Sequence, residues 1–145
     1  MIRRILYMLI LFMLVPVLNV DGQNENGGGQ GVVKTLDDLY FSKNNPIFRH
    51  VKVSGRDGTY VVKGEARTTK GYFYYVVEDG HREFISETRV VSRKAFPKWS
   101  RFEIKVTIPA NVLPDNGTVA MYLFEKEKKS GELIHVFPVI LQQFY

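Results

Sequence analysis

The 145-residue chain contains no cysteine. That absence excludes disulfide frameworks, thiol nucleophiles, iron–sulfur clusters, cysteine zinc sites and a lipid-modified cysteine anchor. Small exported eukaryotic domains ordinarily carry disulfides, so if the chain is exported its lack of cysteine favours a bacterial source. Tryptophan is nearly missing too, with Trp99 alone. No apolar run reaches the ~20 residues that a bilayer-spanning helix needs. His50, His81 and His135 lie far apart with no His-Glu-x-x-His pattern, and calcium-loop and Gly-x-Ser-x-Gly spacings are absent, so the sequence predicts no metal, no cofactor and no catalytic residue. Neither sign of charge dominates. Twenty Lys and Arg stand against 15 Asp and Glu, for a net charge of +5. Acids are mixed among the bases with no stripe at groove spacing, which argues against nucleic-acid binding and leaves only a weak attraction to anionic polymers or membrane surfaces.

What is present begins with Met1-Ile2-Arg3-Arg4 and the apolar run from Ile5 to Leu18, broken by Pro16. A positive n-region before a hydrophobic h-region has the form of an export signal, which places the working domain outside the cytoplasm, secreted or held at the outer face of the cell membrane. Val20 and Gly22 are small enough for cleavage after Gly22, and an uncleaved N-terminal anchor is the alternative for residues 1–22. Residues 23–46 form a linker. Its Gln/Asn/Gly-rich start has no side chain to anchor a core, and Val32 to Phe41 carries Val32, Leu36, Leu39 and Tyr40 on one face of a short amphipathic helix capped by Thr35. Residues 47–145 are left as one domain with a real core.

From Phe48 the hydrophobic period is two. Phe48 to Val53, Tyr60 to Arg67, Tyr72 to Glu78, Glu83 to Val91, Phe102 to Ile108, Thr118 to Glu125 and Leu133 to Leu141 read as strands bounded by turn residues. Seven short strands with no long helical period predict an all-β, immunoglobulin-like sandwich, with a small closed barrel as the alternative. Phe102 and Ile104 alternate with Glu103 and Lys105, and Val62, Gly64 and Ala66 alternate with Lys63, Glu65 and Arg67, which assigns the former sets to the core. Trp99 is expected in that core as a substitute for the missing disulfide. An exposed stacking platform with Phe96 and Tyr74 is the alternative.

Val62-Lys63-Gly64-Glu65-Ala66-Arg67 resembles the Val-x-Gly-Glu-Ala-Arg strand of the immunoglobulin-like domain found in bacterial spore-germination proteins. The aromatic strand Gly71 to Gly80, Trp99 shortly before Phe102-Glu103-Ile104, the stretch Gly117 to Glu125, Ser130-Gly131 and Val136-Phe137-Pro138-Val139 follow in the family's order. The resemblance covers about Ile47 to Leu141. It implies a non-catalytic exported interaction module acting in sporulation or germination, and it transfers no catalytic residues. Ser54-Gly55 replaces the family's usual Ser-Pro, and no larger germination domain accompanies the sandwich in this sequence.

Two binding surfaces compete. Tyr72, Tyr74 and Val76 lie on one side of the aromatic strand and Phe73, Tyr75 and Val77 on the other, so both faces are apolar; a sandwich buries one and leaves the other to the amphipathic segment, a second copy, or an exported or membrane-associated protein partner bound by face packing or strand addition. The other surface is a basic cluster of Arg82, Arg89, Arg93, Lys94, Lys98 and Arg101, suited to an anionic wall polymer or membrane surface. The acids Asp57, Glu78, Asp79 and Asp115 read as turn residues. Oligomeric state is open.

Overall fold

The computed structural model describes residues 45–145. The expected leader, linker and Val32 to Phe41 helix lie outside the described residues. Among the described residues seven strands form: β1 (Phe48–Arg56), β2 (Thr59–Ala66), β3 (Tyr72–Glu78), β4 (Glu83–Val91), β5 (Ser100–Thr107), β6 (Gly117–Lys126) and β7 (Leu133–Phe144). They build two antiparallel sheets, a three-stranded one in the order β1-β2-β5 and a four-stranded one in the order β4-β3-β6-β7. The sandwich is the expected architecture, and the closed barrel is not formed.

Period two is the cause of the layering. Along β5 burial alternates strictly, with Ser100, Phe102, Ile104 and Val106 inward and Arg101, Glu103, Lys105 and Thr107 outward. Phe73, Tyr75 and Val77 of β3 and Val119, Met121 and Leu123 of β6 supply the opposing inner face. Phe48 is the hub: it is fully buried, and its ring meets Phe73 edge-on at 5.1 Å, Phe102 at 6.4 Å and Phe137 at 6.1 Å between centroids. The chain is clamped where it enters. Asn45 Oδ1 accepts the backbone N–H groups of Ile47 and Phe48, each at 3.0 Å, while its Nδ2 donates to the carbonyl of His135 on β7 at 3.1 Å.

Asp57 and Gly58, both at positive φ, make the β1–β2 turn. Paired positive φ values are the signature of the tight hairpin whose twist matches its strands. Ile108 then donates its N–H to the Gly58 carbonyl at 2.7 Å, tying the turn to the end of β5.

Val62, Ala66, Phe102 and Ile104 are buried, and Gly64 faces inward between them in register with Phe102. A Cβ on Gly64 would stand 2.8 Å from Phe102 Cζ and 3.0 Å from Val51 Cγ2. The Phe102 ring cannot swing clear, because Phe48 and Phe73 hold its edges. Gly64→Ala therefore costs about 1–3 kcal/mol by overpacking, read as a lower urea midpoint at unchanged m-value.

β4 pairs with β3 and not with β5. Three strands consequently face four. β1 packs beside β7 and closes one side of the sandwich, whereas on the other side β5 and β4 are both edge strands.

Candidate interaction surface

The outward positions of the three-stranded sheet are mostly cationic. β1 presents Arg49 and Lys52, β2 presents Lys63 with Arg67 just beyond it, and β5 presents Arg101 and Lys105. Arg93 and Lys94 of the loop after β4 line a depression of the same face with Trp99, and Lys98 adjoins Trp99 in that loop. Against these nine bases stand two acids, Glu65 and Glu103, a local charge of +7. The other described residues hold seven bases and nine acids, a charge of −2, so the whole positive excess of the domain sits on this face.

Each acid is shared between bases. Glu65 Oε2 accepts from Arg49 Nε at 2.7 Å and lies 3.3 Å from His50 Nδ1. The hydrogen bond from Arg49 is the main reason its carboxyl titrates below the usual carboxylate range. Glu103 lies 3.0 Å from Lys63 Nζ and 3.6 Å from Lys105 Nζ, and the hydrogen bond from Lys63 holds it low in the same way. Among the described residues no carboxylate pairs with Lys52, Arg67, Arg93, Lys94, Lys98 or Arg101. Exposed ion pairs stabilise a fold by only ~0–1 kcal/mol each. The concentration of charge is thus not explained by stability.

Trp99 is not in the core, contrary to the sequence expectation. It immediately precedes β5, and since Ser100 points inward Trp99 falls on the outward side, half-buried. Arg49 stacks over its ring at 3.9 Å and Arg67 at 4.8 Å, and Arg67 also lies 5.4 Å from Phe96. The tryptophan holds two guanidinium groups in place on the basic face. Each such stack contributes ~0.5–1 kcal/mol at an exposed site.

An open groove of about 700 Å3 along β5 is lined by Val90, Val91, Arg93, Arg101 and Phe102 together with Lys52, Lys63, Glu65 and Glu103 of the three-stranded sheet. Val91 is 72% exposed and Phe96 59%. They are the large exposed hydrophobics of the described residues apart from the terminal Tyr145.

The expected aromatic surface is arranged differently. Tyr72, Tyr74 and Val76 do share the outward side of β3, but β3 lies between β4 and β6 and has no free edge, so it cannot accept an added strand. Val76 is buried and Tyr72 and Tyr74 are half-buried. Tyr74 stacks on Phe124 at 5.9 Å, and Arg89 covers the Tyr72 ring at 3.9 Å. The expected basic cluster also divides. Arg93, Lys94 and Arg101 surround one depression with Trp99, but Arg82 precedes β4 and Arg93 follows it, which separates them by roughly 30 Å of strand. Arg89 belongs to the other sheet's outward face.

The histidines have separate structural surroundings. His50 and His135 both adopt positive φ at strand irregularities, His50 near Glu65 and His135 Nδ1 3.1 Å from Glu125. Glu125 is buried and also accepts the backbone N–H and the hydroxyl of Thr69, fastening the crossover between the sheets. His81 lies in a turn whose N–H groups are taken by Asp79. Among the described residues no three His, Asp or Glu side chains converge on a metal-sized site.

Glu78 is a liability of the four-stranded sheet. Burial pushes its carboxyl up, Glu83 and Asp79 add to the shift, and Oε1 is buried without a hydrogen-bond partner. Burial, with the Glu78 charge behind it, also pushes the Tyr122 hydroxyl up to about 12. A carboxyl raised in the folded state binds more protons folded than unfolded, so its contribution to stability is lost as pH rises through its folded pKa. Glu78→Gln is expected to raise the Tm at pH 7 and to flatten the fall in stability above the ordinary glutamate pKa, measured by thermal melts across pH.

Two sheets joined in this order, with the fourth strand on the four-stranded side, define an immunoglobulin-like sandwich. The chain belongs to the family described as the immunoglobulin-like domain of bacterial spore germination, Gmad2, whose family model matches residues 49–132. That span contains the Gly64 to Arg67 stretch, the Trp99 platform and every basic residue of the charged face. No curated protein and no solved structure matches the chain.

Proposed function

We propose that this protein is an exported, non-catalytic interaction module of the bacterial cell envelope, acting in sporulation or spore germination, and that it binds another envelope protein. Membership of a spore-germination immunoglobulin-like family supports the setting. The observation that carries the reading is the segregation of charge: a +7 face on a domain whose remaining described surface is −2. Complementary charge steers encounter and excludes wrong partners more than it adds affinity, which is what a docking module requires.

Adhesion to anionic wall polymer is the second reading, favoured by Arg93, Lys94, Lys98 and Arg101, which pair with no carboxylate among the described residues. Affinity capture from solubilised envelope of sporulating cells separates the two. A module for a protein partner retains one or a few exported proteins saturably, and competing soluble wall polymer does not release them. Retention of polymer alone, lost steeply with salt, contradicts the protein-binding reading.

A further inference from the structure

The geometry points to the edge of β5 with which no strand among the described residues pairs as the docking site, with an extended partner segment of alternating acidic and apolar side chains added there as a fourth strand; this rests on the reading of the chain as a protein-binding module. Among the described residues three strands face four, so β4 has no strand of theirs opposite it. Its Phe84, Ile85 and Val90 pack on the core yet remain only partly buried. A strand beside β5 would complete the shorter sheet and cover them. The β1 edge cannot serve, because β7 packs against it.

Side chains of an added strand alternate between the two faces. One set would lie on the outer face near Arg101 and Lys105, where the local charge calls for acids. The other set would turn inward toward Val90, with Val91 at the rim of the groove on the side it shares with Tyr72. Main-chain hydrogen bonds to the unpaired edge supply affinity, and the two side-chain sets supply specificity. A second copy of this chain fits poorly, since edge-to-edge pairing would bring two +7 faces together. A uniform polyanion fits poorly as well: it offers nothing to the exposed Val91 and Phe96, and it would meet Glu103 mid-track.

The test uses the protein expressed from its full sequence and purified as the cell delivers it, with a fluorescent peptide of alternating Glu and Val read by anisotropy. The alternating peptide should bind. A block peptide of the same composition, and the alternating peptide N-methylated along one backbone edge, should each bind about ten-fold more weakly or worse. Val91→Glu and Arg101→Glu should each weaken the alternating peptide by about ten-fold with unchanged circular dichroism. Equal binding of the N-methylated peptide, polyphosphate binding indifferent to Val91→Glu, self-association that masks the β5 edge, or no peptide binding would each overturn the β5 assignment. Capture of an exported protein by wild type and by Val91→Glu and Arg101→Glu alike would overturn it while leaving the module reading intact; failure of the wild type to capture any would end that reading first.

Discussion

Phe48→Ala is expected to destabilise the domain by about 3–5 kcal/mol, as buried phenylalanine truncations do, while Trp99→Ala costs only about 1–2 kcal/mol from two exposed stacking contacts. Phe48 is fully buried and joins Phe73, Phe102 and Phe137 across both sheets, so its removal opens a cavity that three neighbouring rings cannot collapse into. Trp99 lies against arginine side chains that can relax into solvent. Urea denaturation of the two variants beside wild type measures the contrast. A Trp99→Ala loss as large as that of Phe48→Ala would return the tryptophan to the core.

The second large effect is on binding. Lys52→Glu, Lys94→Glu and Arg101→Glu together reverse three bases that pair with no carboxylate among the described residues. They change the face from +7 to +1, because nine bases and two acids become six and five. No ion pair is broken, so stability should move by less than about 1 kcal/mol. Affinity for an acidic partner should fall by roughly 100-fold, mainly through slower association. Surface plasmon resonance of the captured envelope protein against wild type and triple variant, with a melting curve for each, separates lost binding from lost folding. An unchanged association rate would remove the charged face from the account.

The strands were readable because each buries one side, and a period of two survives in any window of such a strand. Phe102 to Ile108 shows it most cleanly, and the structure begins that strand two residues earlier at Ser100 and ends it one residue earlier at Thr107. Gly64 was readable as inward but not as necessary, since the ring above it comes from a residue 38 positions further on. Trp99 was misplaced because strand alternation does not reach into the loop that precedes β5; its side is fixed by the inward Ser100. The charged face was hidden for a different reason. Its bases are spread from Arg49 to Lys105 among acids, and only the pairing order β1-β2-β5 brings them side by side while the acids of other strands turn elsewhere. Sequence proximity suggested instead the cluster from Arg82 to Arg101, which β4 stretches apart. Likewise the two-sided apolar character of β3 suggested a free edge, whereas its place between β4 and β6 gives it none.

The most direct test of the central claim, that the outer face of the three-stranded sheet is the binding surface, is site-specific photo-crosslinking in sporulating cells. A photoreactive residue placed at Lys105 or Thr107 reports on the basic face, and one placed at Arg82 or Glu87 reports on the four-stranded side. The account predicts crosslinks from the first pair to one exported protein and none from the second pair. Crosslinks to a protein from Arg82 or Glu87 alone would contradict it.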